Sequence, residues 1–205
     1  MKLINHFFKT CVLLLCFCGC GKRNFFPDED DPGLSILSSY GFNIASAYIN
    51  NVPYINPYKK FIFGGIVNSS PTITKINTGS AFDTLSFSWA IQINDSTNSY
   101  SSPYQYISIL MPVSKSFTRS DLVAMSGQRF SSNSGKVILQ SFNYGPSDFL
   151  SGFSNIYFVK INQTQPDTSA PRLLLSGLFN GNIGDSILIT KGRFDFQIST
   201  NAINF

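Results

Sequence analysis

At 205 residues, 43% apolar, 15% aromatic and only 13% charged, the chain is long enough to bury a core and too poor in charge to be a self-repelling disordered polymer. The formal net charge is +4, but Lys2 and Lys9 fall in an expected export segment, so the remainder is weakly basic and nucleic-acid binding has no support. The single His is His6, the four cysteines are Cys11, Cys16, Cys18 and Cys20, and the only Glu is Glu29, so everything after Glu29 lacks His, Cys and Glu.

Residues 1–19 read as a signal peptide: Lys2 and Lys9 precede the apolar stretch Val12-Leu13-Leu14-Leu15-Cys16-Phe17-Cys18, which Gly19 closes. The run is too short to cross a bilayer as a helix, and no later segment supplies roughly 18 uninterrupted apolar residues. All four cysteines lie in or beside this leader with no partner downstream, so a disulfide framework is not expected. Cys20 resembles the lipidated cysteine of a bacterial lipoprotein, because Gly19 before it is small, whereas Leu15 and Phe17 before Cys16 and Cys18 are bulky. A plain secretory signal with incidental cysteines is the alternative. That resemblance implies several acyl chains on Cys20, more than the two signals that stable membrane attachment requires. Residues 20–36 then read as the lipidated Cys and a flexible tether, with charge and Pro/Gly but no periodicity.

Residues 37–205, about 170 in number, fit a single domain. Its dominant signal is period-two alternation, clearest in Leu85, Phe87, Trp89, Ile91 and Ile93, and again in Phe194, Phe196 and Ile198 between Arg193, Asp195 and Gln197. Asp195 reads as one position on a polar strand face. Further β-rich runs are 42–49, 52–56, 61–67, 71–76, 104–113, 136–144, 155–162, 172–180 and 186–190, punctuated by Asn50-Asn51, Asn77-Thr78-Gly79 and Gly184-Asp185. The expected fold is all-β, an antiparallel β-sandwich or an up-and-down barrel-like domain, with one short helix. The helix starts at the capping box Thr118-Arg119-Ser120-Asp121, continues through Leu122-Val123-Ala124-Met125 and closes at Gly127, which makes Asp121 a cap rather than a catalyst.

Without His, Cys or Glu the domain cannot build a Ser-His-Asp or Cys-His nucleophile or a zinc site of the usual type, and no cofactor or metal is expected. Its acids are Asp83, Asp95, Asp121, Asp148, Asp167, Asp185 and Asp195. Two of these could serve a glycan hydrolase, although Asp95, Asp148, Asp167 and Asp185 stand in turn contexts where Asp is favoured for local hydrogen bonding. The run Asn94-Asp95-Ser96-Thr97-Asn98 lacks the glycine and terminal Glu of an EF-hand loop and reads as a polar hairpin loop. Tyr100, Tyr104 and Tyr106 flank the loop 94–103. They form either a rim that stacks on sugars or grips an apolar ligand, or a set of core caps with hydroxyls in water, the commoner use.

Two stretches carry a family resemblance. Ala47-Tyr48-Ile49-Asn50-Asn51-Val52-Pro53-Tyr54 resembles the N-terminal hairpin of small uncharacterised lipoproteins of Bacteroidota, and Leu175-Ser176-Gly177-Leu178-Phe179 followed by Ile187-Leu188-Ile189-Thr190-Lys191-Gly192-Arg193-Phe194-Asp195-Phe196 resembles their closing hairpin. The resemblance implies a β fold and an envelope address, with no activity to carry over. In the same bacteria an O-glycosylation system reads Asp, then Ser or Thr, then a small or aliphatic residue or Thr. Asp83-Thr84-Leu85, Asp95-Ser96-Thr97 and Asp185-Ser186-Ile187 resemble that motif and mark Thr84, Ser96 and Ser186, while turn-forming Asp-Ser/Thr pairs at strand starts give the same pattern. The resulting expectation is a lipid-anchored outer-membrane domain that binds or scaffolds a glycan or an envelope protein, with an Asp-dependent glycan hydrolase as the alternative.

Overall fold

The computed structural model describes residues 27–56, 60–62, 65–67, 71–93, 105–131, 136–141, 149–164, 172–183, 186–199 and 202–205. The fold is all-β with one short helix. In chain order the elements are β1 (Ile44–Ile49), β2 (Val52–Ile55), β3 (Lys60–Ile62), β4 (Gly65–Val67), β5 (Thr72–Ile76), β6 (Asp83–Ile93), β7 (Gln105–Val113), α1 (Arg119–Ala124), β8 (Arg129–Phe130), β9 (Lys136–Ser141), β10 (Phe149–Thr164), β11 (Arg172–Ile183), β12 (Ile187–Ser199) and β13 (Ile203–Asn204).

Of the two architectures left open by sequence, the pairings select the barrel. Antiparallel ladders join β1 to β2, β2 to β6, β6 to β7, β7 to β9, β9 to β10, β10 to β11 and β11 to β12, and β12 returns to β1, which closes a ring of eight strands among the described residues. The ring follows chain order, an up-and-down meander in which closure removes the edges that a sheet would otherwise expose. The seam between β2 and β6 is narrow, Tyr54 opposite Ile93 and Ile55 opposite Gln92. Beside it β5 pairs with β6, and β13 lies parallel on β5, the one departure from the antiparallel expectation among the described pairings.

The turns explain part of the order. Asn50 and Asn51 both adopt left-handed backbone (φ 50° and 65°), as a two-residue hairpin of the primed type requires, so they do here what glycine does elsewhere. Asn50 also fastens the closing hairpin: its Nδ2 donates to the Ser186 carbonyl at 2.9 Å and its Oδ1 accepts from Leu188 N at 2.8 Å. Several expected boundaries shift. The single run 61–67 is two strands, β3 and β4, paired in a separate hairpin. The runs 186–190 and 193–198 are one strand, β12, because a β-bulge absorbs the break in alternation: Gly192 lies opposite Phe179 but Ile189 opposite Gly181. Strand β10 extends well beyond 155–162, since both β9 and β8 line up along one of its edges.

The barrel interior is filled. Phe87, Trp89, Phe158, Phe179, Phe194 and Phe196 pack together there, with Trp89 centred 5.4 to 5.7 Å from the rings of Phe179, Phe194 and Phe196. These distances suit tilted and edge-on ring contacts. Gly192 permits the closeness, because a Cβ there would come within 2.6 Å of the Phe179 ring. Helix α1 is capped as expected, with Thr118 and Asp121 hydrogen-bonding each other reciprocally, and it buries Leu122 against the cluster. Gly127, at φ +76°, donates its N–H to the Phe158 carbonyl at 2.8 Å, joining the end of the helix to β10.

The tether expected over 20–36 is corrected in its described part. Residues 27–36 are folded back on the barrel and continue through 37–43 as a strap over the outer faces of β1 and β12. Pro27 forms a bridge with Ser35, and Leu34 and Ser35 are buried. Leu34, Ile44 and Leu174 are buried without belonging to the interior cluster, so apolar burial continues outside the barrel wall.

Candidate functional site

The strap is held by groups that β12 points outward. Arg193 Nη1 donates to Asp28 Oδ2 at 2.6 Å and to the Ser35 carbonyl at 2.9 Å, and Lys191 Nζ meets Asp31 Oδ2 at 2.6 Å. Tyr48 on β1 donates its hydroxyl to Asp31. The hydrogen bond from Arg193 draws the Asp28 carboxyl below its ordinary pKa, and those from Lys191 and Tyr48 do the same to Asp31. The Asp31 carboxylate in turn raises Tyr48, because ionising the phenol would lose that hydrogen bond and place two anions together. Ser35 adds an uncharged tie, its N–H reaching Ser46 Oγ at 2.9 Å.

Farther along β12, Asp195 departs from its expected place on an open polar face. It is 1% exposed because residues 38–42 wrap it. Its carboxylate accepts from Gly41 N at 2.8 Å, Phe42 N at 3.1 Å and Tyr40 N at 3.3 Å, and from the Ser38 hydroxyl. Converging N–H groups make a cradle for an anion, and here the anion is the protein's own. Gly41, at φ +76°, turns the loop, and its missing Cβ would stand 3.0 Å from Gln197 Cβ.

On the side of the bulge away from the strap, the outer faces of β10, β11 and β12 form a groove. Two depressions of about 620 and 570 Å³ share Asn155, Asn180 and Lys191. One end holds Tyr157 with the Arg129 guanidinium 4.6 Å from its ring centroid, a cation–π contact, and Asn155 Nδ2 donates to Asn180 Oδ1 at 3.1 Å in the floor. Lys191, at φ 50° within the bulge, lines the groove while its ammonium binds Asp31 of the strap. Among the described residues, the lining contains no carboxylate. Amides, a phenol and two cations over an aromatic surface can hydrogen-bond a polar ligand and stack on one flat face of it.

The residues singled out from sequence are scattered. Cys20, Tyr100, Tyr104 and Ser96 lie outside the described residues, as do Asp95, Asp148, Asp167 and Asp185. Tyr106 is half-buried on β7, opposite Ala90 and Gln140, away from the groove. Thr84 is half-buried in β6 with partners on both sides, Pro112 and Ile76, whereas Ser186 is exposed at the β11–β12 turn. Asp83 is buried at the start of β6, and Asp121 is a helix cap whose carboxyl is lowered by Thr118. The groove residues were missed because Asn155, Tyr157 and Asn180 look like ordinary outward strand positions, and only the β10–β11 register sets Asn155 opposite Asn180. The chain matches no protein-family profile, no curated protein and no solved structure.

Proposed function

We propose that this protein is a lipid-anchored, non-enzymatic binding module of the cell envelope, attached to the outer membrane through acyl chains on Cys20 and using its outer groove to bind an envelope glycan or protein. The observation that carries the binding role is the groove itself: polar side chains converging on a rigid β scaffold beside a tyrosine ring. The leader ending in Gly19-Cys20 and the resemblance to Bacteroidota lipoproteins support the address. The non-enzymatic reading is supported by how four of the described acids are used. Asp28 and Asp31 are ion-paired, Asp121 caps a helix, Asp195 cradles a loop, and none of them lines the groove.

Radiolabelled fatty acid should enter the wild-type protein and not Cys20→Ala; equal labelling of both overturns the anchoring. A glycan array and a pull-down from envelope extract should show a ligand whose binding weakens at least about fivefold in Tyr157→Ala or Asn180→Ala, as loss of an interface anchor does. Turnover of a polysaccharide abolished by one Asp→Asn change would instead establish the hydrolase alternative.

A further inference from the structure

The loop cradled by Asp195 is rigidly held, yet it displays apolar groups to solvent. Tyr40 is 77% exposed and Leu37 and Phe42 are 44% exposed each, with the rings of Tyr40 and Phe42 5.9 Å apart. A buried carboxylate, three backbone donors and the left-handed Gly41 fix the backbone from which those side chains project. Such a loop loses little further conformational entropy when its side chains meet a surface, which is the usual advantage of preorganisation. Three large apolar side chains within six residues are also a greater exposure than a loop needs for solubility.

Their place in the fold says what that surface is. Pro27 bridges Ser35, and Asp28 is tied to Arg193, two residues before Asp195 on β12, so the start of the strap and the Leu37/Tyr40/Phe42 loop share one outer face only a few residues apart along one strand. From Cys20 to Pro27 the chain advances seven residues, at most about 25 Å when fully extended. Acyl chains on Cys20 therefore keep this face near the bilayer.

We propose that Leu37, Tyr40 and Phe42 form a membrane-contacting surface that seats the strap side of the barrel on the interface of the bilayer to which Cys20 is tied. This rests on the anchoring of Cys20 proposed above. Tyrosine suits the headgroup level, where its ring is shielded and its hydroxyl stays hydrated, while Leu and Phe reach the acyl boundary. The acids Glu29 and Asp30 are exposed close by on the strap, so the contact is apolar rather than an attraction to anionic headgroups, and it forms on zwitterionic lipid. The groove, on β10 and β11 beyond the bulge, remains open to the aqueous side.

The test uses the full chain made in a lipidating bacterial host and reconstituted in phosphatidylcholine and phosphatidylethanolamine vesicles. Because no cysteine follows Cys20, one introduced thiol can carry a nitroxide at a single place: Ser39→Cys within the loop, or Asn180→Cys in the groove. The label at 39 should be relaxed more by oxygen than by an aqueous nickel chelate and the label at 180 the reverse, and adding Tyr40→Ser and Phe42→Ser should return the label at 39 to the aqueous pattern. An aqueous pattern at 39 in protein that still needs Cys20 to stay on the vesicles overturns the contact and leaves the anchoring intact. A label at 39 shielded from both reagents, with dipolar broadening between labels, would assign the surface to a second copy and also overturn it. Protein that carries no lipid and leaves the vesicles overturns the anchoring and this proposal together.

Discussion

Over residues 193–197 both faces of β12 are covered, by opposite chemistry. Inside, Phe194, Phe196 and Ile198 pack in the aromatic cluster, where attraction is non-directional and proportional to area. Outside, Arg193, Asp195 and Gln197 hold the strap through charges and hydrogen bonds; Gln197, for example, donates its N–H to Asn43 Oδ1 at 2.9 Å. The inner face decides whether there is a barrel at all. The outer face decides where one particular segment lies on it, through directional bonds beside the buried Leu34.

Breaking each face should therefore give different failures. Phe196→Ala leaves a cavity beside Trp89 and should cost about 3 to 5 kcal/mol, seen as loss of the whole domain in one cooperative denaturant transition. Asp195→Ala should cost less, about 2 to 3 kcal/mol, by leaving the donors of residues 40–42 without their acceptor. Its signature is local: hydrogen exchange should accelerate at 38–43 while the amides of β10 and β11 stay protected. If both regions loosen together, the strap is part of the barrel's cooperative unit and the contrast fails.

Acid sharpens the comparison further. Asp28 and Asp31 titrate below the ordinary carboxylate range in the folded chain, so their contribution is fully present above the unfolded pKa of about 4 and is lost as the pH falls through the lower folded values. Exchange at 28–36 should rise over that interval before the barrel amides respond, and Asp28→Asn with Asp31→Asn should flatten the dependence. At the alkaline end Tyr48 has a raised pKa, so its hydrogen bond to Asp31 contributes below the ordinary tyrosine range and is lost as the pH climbs through the higher folded value. Tyr48→Phe should remove that alkaline limb. The smallest effect belongs to Lys191→Met, since that lysine side chain is 62% exposed and screened by water: the melting temperature should hardly move, while the exchange at Asp31 quickens.

Much of the barrel was legible in sequence because side-chain alternation is a local consequence of strand geometry. Leu85, Phe87, Trp89 and Ile91 announce β6 and are all buried in the core, and Thr118 with Asp121 announces the helix start that the structure has. The break in pattern between Ile189 and Phe194 was visible too, but a bulge and a loop disturb alternation alike, and only the ladders to β1 and β11 show the strand continuing. The candidate site was less legible. Asn155 and Asn180, 25 positions apart, become neighbours through register alone.

What the amino-acid sequence determined by itself was whatever depends on near neighbours: the strand periods, the left-handed Asn50-Asn51 turn, the capped helix, and the absence of His, Cys and Glu from the domain. Tertiary structure alone decided the rest. It made Asp195 a buried anion held by the amides of residues 40–42 rather than one more polar strand position, and it made the acidic segment after Pro27 a strap rather than a tether. The physical reason is distance along the chain: Asp28 and Arg193 are 165 residues apart, and an acid reads as solvated until folding brings a cation or a set of amides to meet it.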